Sequence, residues 1–270
     1  MLKDELRKVG RKVGGTKGDL ENRLKSVLHT NDRGWVKRGG AECTKIRYLD
    51  SGAHRHVYLQ SYTKGPRKGQ LCVKKVFKTG SVYESRFFEH DIKVTQEAAK
   101  LIGAFNKLMG GRRIYLNEPE VWHSSEPDRK GKRAQYLVEP YLKGDYVKFN
   151  SNTGYVESSA KMQALSHHSY EASGGSMLLC DLQGVERDDI FILTDPVICS
   201  ADHQFGATDL GPKGIDNFFA FHKCGKYCRG DWRRPRQPQV HFPAVRGTTF
   251  SSAGTMAGKQ FLLHKLLASL

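Results

Sequence analysis

Three sets of side chains in this sequence have types and spacings that could do chemistry. The first is His222, Cys224 and Cys228, in the run AFHKCGKYC. One imidazole and two thiols this close together suit zinc, which takes nitrogen and sulfur donors in a tetrahedron. The fourth donor must come from elsewhere, and His167 or His168 is the nearest histidine-rich candidate. Cys224 and Cys228 are four apart on an expected helix, and Ile215, Phe218, Phe219 and His222 form one apolar stripe, so the site belongs in a core. Nothing adjacent offers the base that a catalytic zinc needs, so a structural ion is expected. The alternative is two free core cysteines beside a satisfied histidine.

The second set is acidic. Two apolar runs each end on an aspartate: Asp181 in LLCDLQGV and Asp195 in ILTDP. If they form a hairpin turning at Arg187-Asp188, Asp181 lies across from Thr194, beside Asp195, with Gln183 on the same face as Asp181. Two carboxylates and an amide oxygen suit Mg²⁺, a hard cation that keeps water and phosphate in its shell. A register slip of one would reverse the faces, and turn-capping is the ordinary fate of such aspartates. The third set is basic. Gly52-Ala53-His54-Arg55 sits between two expected strands, where backbone N–H groups and a guanidinium could cradle phosphate. Lys75, in LCVKKVF, alternates onto one strand face with Val73 and Phe77, opposite Lys74. A glycine turn followed by a strand lysine is how kinases hold nucleotide phosphates. An edge-strand lysine that deters aggregation has the same appearance.

The chain that must position these groups has 270 residues, 38% hydrophobic and 10% aromatic, which supports a folded core. A formal charge of +16 favours polyanionic partners such as nucleic acid or nucleotide phosphates. No apolar run approaches the roughly 20 residues of a membrane span, and the N-terminus has no signal-peptide pattern. The six cysteines are read as reduced. An intracellular protein is expected, cytoplasmic or nuclear, with no membrane association.

Residues 1–30 read as two charged helices around a Gly14-Gly15 break, and 31–41 as a linker. Short strands around IRYLD, HVYLQSY and QLCVKKVF form an antiparallel meander. Residues 84–109 are a helix with Phe87, Phe88, Ile92, Ala99, Ile102 and Phe105 near one face. QYLVEPYL is a strand, 160–170 is at least partly helical, and a Phe-rich helix leads into HKCGKYC. The residues from 236 to 270 read as a poorly ordered tail.

Residues 2–28 resemble a SAP motif, a short DNA-binding module, through Leu2, Leu6, Gly10, Gly15-Thr16-Lys17, Leu20 and Leu24. The resemblance implies DNA or RNA binding through residues 1–30, with Lys8, Arg11, Lys12 and Lys17 on phosphates and a strong salt dependence.

The standard protein-kinase signatures are missing: there is no HRD-type loop, and Gln204-Phe205-Gly206 lacks the metal-binding acid of DFG. From about Gly52 to Gly230, however, the chain resembles the α-kinases, the atypical serine/threonine kinase family of myosin heavy-chain kinases and elongation factor kinase. LCVKKVF, LVEPYLKGDYVKFNSNTGYV, ALSHHSYEASGG, LLCDLQGV, LTDP, FGATDLGPKGI and HKCGKYC appear in family order.

The resemblance implies an α+β fold, two-lobed, with a catalytic domain over 42–235 divided near 138/139 and a zinc-stapled C-terminal lobe. It implies that Arg55 touches phosphate, that Lys75 grips the α/β-phosphates of ATP, and that Glu139 lies at the hinge beside adenine. Lys148 would line the nucleotide or substrate cleft. Asp181 would orient or deprotonate the acceptor hydroxyl, and Gln183 and Asp195 would hold Mg²⁺. Residues 206–214 would help bind a peptide. His167, rather than His168, would complete a structural zinc site with His222, Cys224 and Cys228. Two departures stand out. Asp209 replaces a typical asparagine, and would take metal or a hydroxyl near the nucleotide. His168 stands where an aromatic is expected. The activity implied is transfer of the γ-phosphoryl group of Mg-ATP to serine or threonine of a protein. The alternative is a catalytically weak or inactive kinase fold serving as a nucleic-acid-binding or scaffold module.

Overall fold

The computed structural model describes residues 35–36, 42–51, 55–77, 84–110, 113–124, 127, 131, 133–157, 159–187 and 190–251. The SAP-like arm, the Gly52-Ala53-His54 turn and residues 252–270 of the expected tail lie outside them. The chain divides into two compact units, Met1–Ser85 with Pro119–Tyr141, and Arg86–Glu118 with Leu142–Leu270.

The first unit is a closed barrel of β1 (Trp35–Val36), β2 (Glu42–Ser51), β3 (Arg55–Tyr62), β4 (Leu71–Phe77), β7 (Gln135–Pro140) and β6 (Glu120–Ser124), in that spatial order. The expected meander is there: β3 pairs antiparallel with both β2 and β4. Alternation along β3 buries His56, Tyr58, Gln60 and Tyr62 on one face. Tyr62, Cys72, Trp122 and Val138 pack as the apolar cluster of this unit. The reading of 31–41 as a linker needs correction. Trp35 and Val36 form β1, which pairs with both β2 and β6. A two-residue strand gives no periodicity to detect; its partners come from distant parts of the chain.

The second unit combines a four-stranded sheet, ordered β5 (Arg113–Leu116), β11 (Ile190–Leu193), β10 (Gln183–Arg187), β8 (Tyr146–Lys148), with a two-stranded ribbon of β12 (Val197–Ser200) and β9 (Met177–Cys180). Three helices are described, α1 (Glu84–Met109), α2 (Ala160–Ala172) and α3 (Gly211–Phe221). Val94, Ala98, Leu101, Ile102 and Phe105 of α1 enter the main core beside Ile114, Phe149, Met162 and Leu165. Their spacing is helical, but the buried stripe passes through Val94 and Ala98 rather than Ile92 and Ala99, which are only half-buried. The Ser159 hydroxyl caps α2 by accepting from the Met162 amide. Pro212 opens α3 with its φ already set for a helix. Ile215, Phe218 and Phe219 of α3 pack on Leu178, Cys180 and Cys199 of the ribbon.

The β10–β11 hairpin exists, but its register differs from the expected one by two residues. Gly184 faces Leu193, and the Thr194 amide donates to the Gln183 carbonyl at 2.9 Å. A shift of two keeps every side chain on its face, so the acid cluster survives the correction. The crossing is close: a Cβ on Gly184 would lie 2.0 Å from the Ile192 carbonyl oxygen. Gly184→Ala should therefore force the strands apart and cost about 3 kcal/mol, read as a lowered urea midpoint with an unchanged slope.

Residues 236–251 also depart from expectation. They form no helix or strand, yet they are tied to the second unit. The Asn217 side chain accepts from the His241 and Phe242 amides at 2.6 and 2.8 Å and donates to the Phe242 carbonyl at 3.1 Å. Arg246 meets Glu157 at 2.8 Å. A Pro/Gly/Ser-rich composition predicts absence of regular structure, not absence of partners.

Candidate active site and metal centre

The two strand pairs of the second unit are one ribbon interrupted twice. Val197 faces Cys180 and Gly184 faces Leu193. Between them the strands break at Asp181 and Asp195, which take left-handed φ values of 57° and 48°. Aspartate is among the few non-glycine residues that visit this region readily. The breaks turn both acids out of the ladder.

Asp181 is 1% exposed. One carboxylate oxygen, Oδ1, accepts from Lys148 Nζ at 2.7 Å, and Oδ2 accepts from the Thr248 hydroxyl at 2.7 Å. Burial raises its pKa above the ordinary carboxylate range, against the opposing pull of Lys148, and the Asp195 charge adds to the rise. Lys148 comes from β8, where it faces Gln183 of β10 across the pair, and its Nζ also reaches Gln183 Oε1 at 3.4 Å. Gln183 Nε2 in turn lies 3.5 Å from the Asp195 carbonyl. Lys148, Asp181, Gln183 and Asp195 thus come together in the second unit.

A polar run absent from the sequence-based site holds the Asp181 turn. Asn150 Oδ1 accepts from the Leu182 amide at 2.9 Å, while the Leu182 carbonyl accepts from the Phe149 amide at 2.8 Å. Asn150 Nδ2 donates to Ser166 of α2 at 3.0 Å. Ser169 Oγ, nearly one turn along, accepts from the Leu179 amide at 2.7 Å. The signal was in FNSNT: polar residues that are all buried when folded must each have a partner.

In the first unit, Lys75 and Glu139 sit on neighbouring strands. Their charges meet at 2.6 Å with side chains only 6% and 3% exposed. The sequence-based role for Glu139 beside adenine needs revision to this extent: its carboxylate is engaged by Lys75. Alternation places Glu139 beside Val73, on the face from which Lys75 projects. Lys74 points the other way, its ammonium 4.2 Å from the Tyr136 ring centroid. Arg55 opens β3 opposite Phe77.

Asp209 is corrected more fully. It is 0% exposed. Its Oδ1 accepts from the Ser200 and Gly211 amides, both at 2.8 Å, and its Oδ2 from the Ser200 hydroxyl at 2.5 Å and the Phe205 amide at 3.1 Å. The carboxylate staples the 206–214 loop to β12 and has no oxygen left for a nucleotide.

His167, His222, Cys224 and Cys228 converge, with one donor atom from each lying within 4.8 Å of all the others. His222 Nε2 is 3.2 Å from His167 Nδ1, and three of the four nitrogen–sulfur separations are 3.6, 3.7 and 3.6 Å. Zinc–ligand lengths in a tetrahedron require about 3.3 Å between two nitrogens and about 3.6 Å between nitrogen and sulfur. The donor set fits. His167 Nε2 lies 3.1 Å from the Arg233 carbonyl, a contact that leaves Nδ1 facing the cluster when Nε2 carries the proton. Burial, then the neighbouring His167, lower the His222 pKa to about 4, so its imidazole is neutral. The expectation of Cys224 and Cys228 on a helix face is not met. Helix α3 ends at Phe221, His222 is its extended C-cap, and the cysteines leave a turn closed by Cys228 N to Gly225 O at 3.0 Å. His168 packs between Phe105 and Trp232, with ring centroids 5.5 and 5.2 Å away.

Comparisons with known proteins give the family and the fold. A sequence model of the Alpha-kinase family matches residues 50–228, and the chain belongs to that family. It is 33% identical over 189 residues to alpha-protein kinase vwkA of Dictyostelium discoideum, a match covering 66% of this chain and 29% of that protein. It is 39% identical over 105 residues to eukaryotic elongation factor 2 kinase of Homo sapiens, covering 37% of this chain and 14% of that protein. The chain therefore spans less than a third of the length of these relatives. Among solved structures, the inactive alpha-kinase domain of myosin-II heavy chain kinase A complexed with ATP superposes with a TM-score of 0.61 at 25% identity, over 70% of this chain and 88% of that one. An alpha kinase from Entamoeba histolytica shares the fold, with a TM-score of 0.66, over 84% of this chain and 92% of that one.

The buried Lys75–Glu139 pair has a structural signature separable from any catalytic one. Lys75→Met should take from the buried Glu139 the ammonium it meets at 2.6 Å and cost about 3 kcal/mol. Adding Glu139→Gln to Lys75→Met should recover most of that loss in urea unfolding.

Proposed function

We propose that this protein is an atypical protein kinase that transfers the γ-phosphoryl group of Mg-ATP to serine or threonine of a protein. The observation that carries the proposal is Asp181: a buried carboxylate with a raised pKa, oriented by Lys148, with a hydroxyl already hydrogen-bonded to it. That is the arrangement a base needs to take the proton of an incoming alcohol. The acceptor oxygen attacks the γ-phosphorus, and the bond from that phosphorus to the β–γ bridging oxygen breaks. ADP leaves with the electron pair, and the hydroxyl proton passes to Asp181. Lys148 holds Asp181 in place and offsets its charge. Lys75 and Arg55 are assigned to the phosphates of ATP. Gln183 and Asp195, oxygen donors beside Asp181, are assigned to Mg²⁺, which supplies charge neutralisation on the phosphoryl oxygens.

A structural zinc on His167, His222, Cys224 and Cys228 is part of the same reading. Two neutral imidazoles and two thiols at tetrahedral spacings support it. All four positions are filled by protein, so the ion would join α2 to the chain after α3 and leave no site for a substrate.

Asp181→Ala should lower kcat by about 10³-fold while ATP affinity stays within about threefold, measured by labelled phosphate transfer and by equilibrium binding. Transfer that survives in Asp181→Ala would remove the aspartate from the chemistry. No transfer by folded, metal-replete wild type would favour the second reading, a binding or scaffold module suited by the +16 charge to polyanions. For the metal, elemental analysis should find one zinc per chain, and Cys228→Ala should lose it together with the folded state. A stable, zinc-replete Cys228→Ala would sink the metal assignment.

A further inference from the structure

The hydroxyl on Asp181 belongs to the protein's own chain. Thr248 lies in the irregular segment 245–251, and residues on both sides of it are bound. The Val245 amide donates to Thr153 Oγ1 at 3.0 Å. Arg246 makes a two-pronged contact with Glu157 at 2.8 and 3.1 Å. The Thr249 amide donates to Asn152 Oδ1 at 2.9 Å, and Asn152 Nδ2 donates to the Thr249 carbonyl at 2.7 Å. The Ser251 amide donates to the Ala207 carbonyl at 2.8 Å, in the glycine-rich loop.

Asn152 therefore treats Thr249 as one strand treats another: a single side-chain amide satisfies both the N–H and the C=O of one residue. Recognition of this kind reads an extended main chain and ignores the side chain. Asn152 is itself 1% exposed and is fixed by a further bond from Nδ2 to the Thr208 carbonyl at 2.9 Å. A rigid main-chain clamp stands one residue away from a carboxylate that takes a hydroxyl. Together they form a site for an extended peptide carrying serine or threonine.

We infer that residues 245–251 occupy the acceptor-peptide site, with Thr248 in the place of the residue to be phosphorylated and Asn152 clamping the main chain of the residue after it. The segment is an internal competitor that a protein substrate must displace. The inference rests on the kinase reading with Asp181 as base. The ligand class is an extended peptide; the acceptor must be followed by a residue with a free backbone N–H, so proline in the next position is excluded. The occupied site lowers apparent affinity for substrate by the fraction of time the segment is bound.

The experiment uses the full chain, Mg-ATP and a synthetic peptide with the sequence of residues 243–251. Phosphate should enter the peptide at the threonine corresponding to Thr248 and not at the one corresponding to Thr249. Asn152→Ala, added to Thr248→Val so that the competitor is already weakened, should raise KM for the peptide roughly tenfold over Thr248→Val alone, with a smaller change in kcat. Thr248→Val and Arg246→Ala in the enzyme lie on the competitor and should lower that KM, by up to roughly tenfold for Thr248→Val. Replacing the second peptide threonine by proline should abolish labelling, while alanine there should not. Phosphate on Thr248 of the enzyme itself would support the placement, since the hydroxyl must lie in the acceptor position to receive it. Unchanged KM in all three enzyme variants, with transfer to a carrier protein intact, would overturn the inference and leave the kinase reading standing. No transfer to any acceptor by the wild type would remove both.

Discussion

A carboxylate removed from water must be met by a cation or by hydrogen-bond donors, or it gives up its charge. Asp181 is buried, and much of the second unit serves that requirement. Strand β8 exists at a position that brings Lys148 to Oδ1. Asn150 and the Phe149 amide fix the turn after it, and α2 contributes Ser166 and Ser169 to the same network. The left-handed backbone at Asp181 and Asp195 interrupts a ribbon that would otherwise run unbroken from β9 through β10. Such breaks cost stability and are kept where the surrounding structure holds them. Here the surrounding network does, and what it holds is a buried carboxylate met by one ammonium and one hydroxyl.

The same logic separates Asp181 from Asp209, which sequence reading placed near the nucleotide. Asp181 faces a lysine and a hydroxyl, with a pKa raised chiefly by burial. Asp209 is equally buried but is surrounded by backbone and hydroxyl donors. Donors that converge from one loop make a carboxylate into a structural bolt. Residue type and burial are the same in the two cases; the identity of the partners decides which group is available for chemistry.

The His/Cys cluster plays a comparable role. His167 is reached from α2, His222 from the end of α3, and the cysteines from the turn that follows. Phe218 stacks on His222 at 4.8 Å, and Trp232 and Phe219 meet the His167 ring at 5.3 and 5.1 Å. An aromatic wall of this kind restricts water and orients the ring nitrogens. Beyond the cluster the chain runs through Arg233, bonded to Glu171 at 2.9 Å, toward the segment that reaches Asp181. Holding the chain just after α3 therefore fixes where the approach to Thr248 begins.

The sequence by itself determined the family. LCVKKVF, LLCDLQGV, LTDP and HKCGKYC are local patterns, and local patterns survive in a linear string. Strand alternation and the helical spacing of Ile102 and Phe105 were legible for the same reason. Tertiary structure alone decided the register of β10 on β11, the strand made by Trp35 and Val36, the Lys75–Glu139 pair, and the fate of Asp209. It also brought Thr248 to Asp181, 67 residues apart in the chain. Each of these depends on which distant group arrives opposite which. Burial and hydrogen-bond satisfaction select that outcome over the whole fold at once, and no window of neighbouring residues contains it.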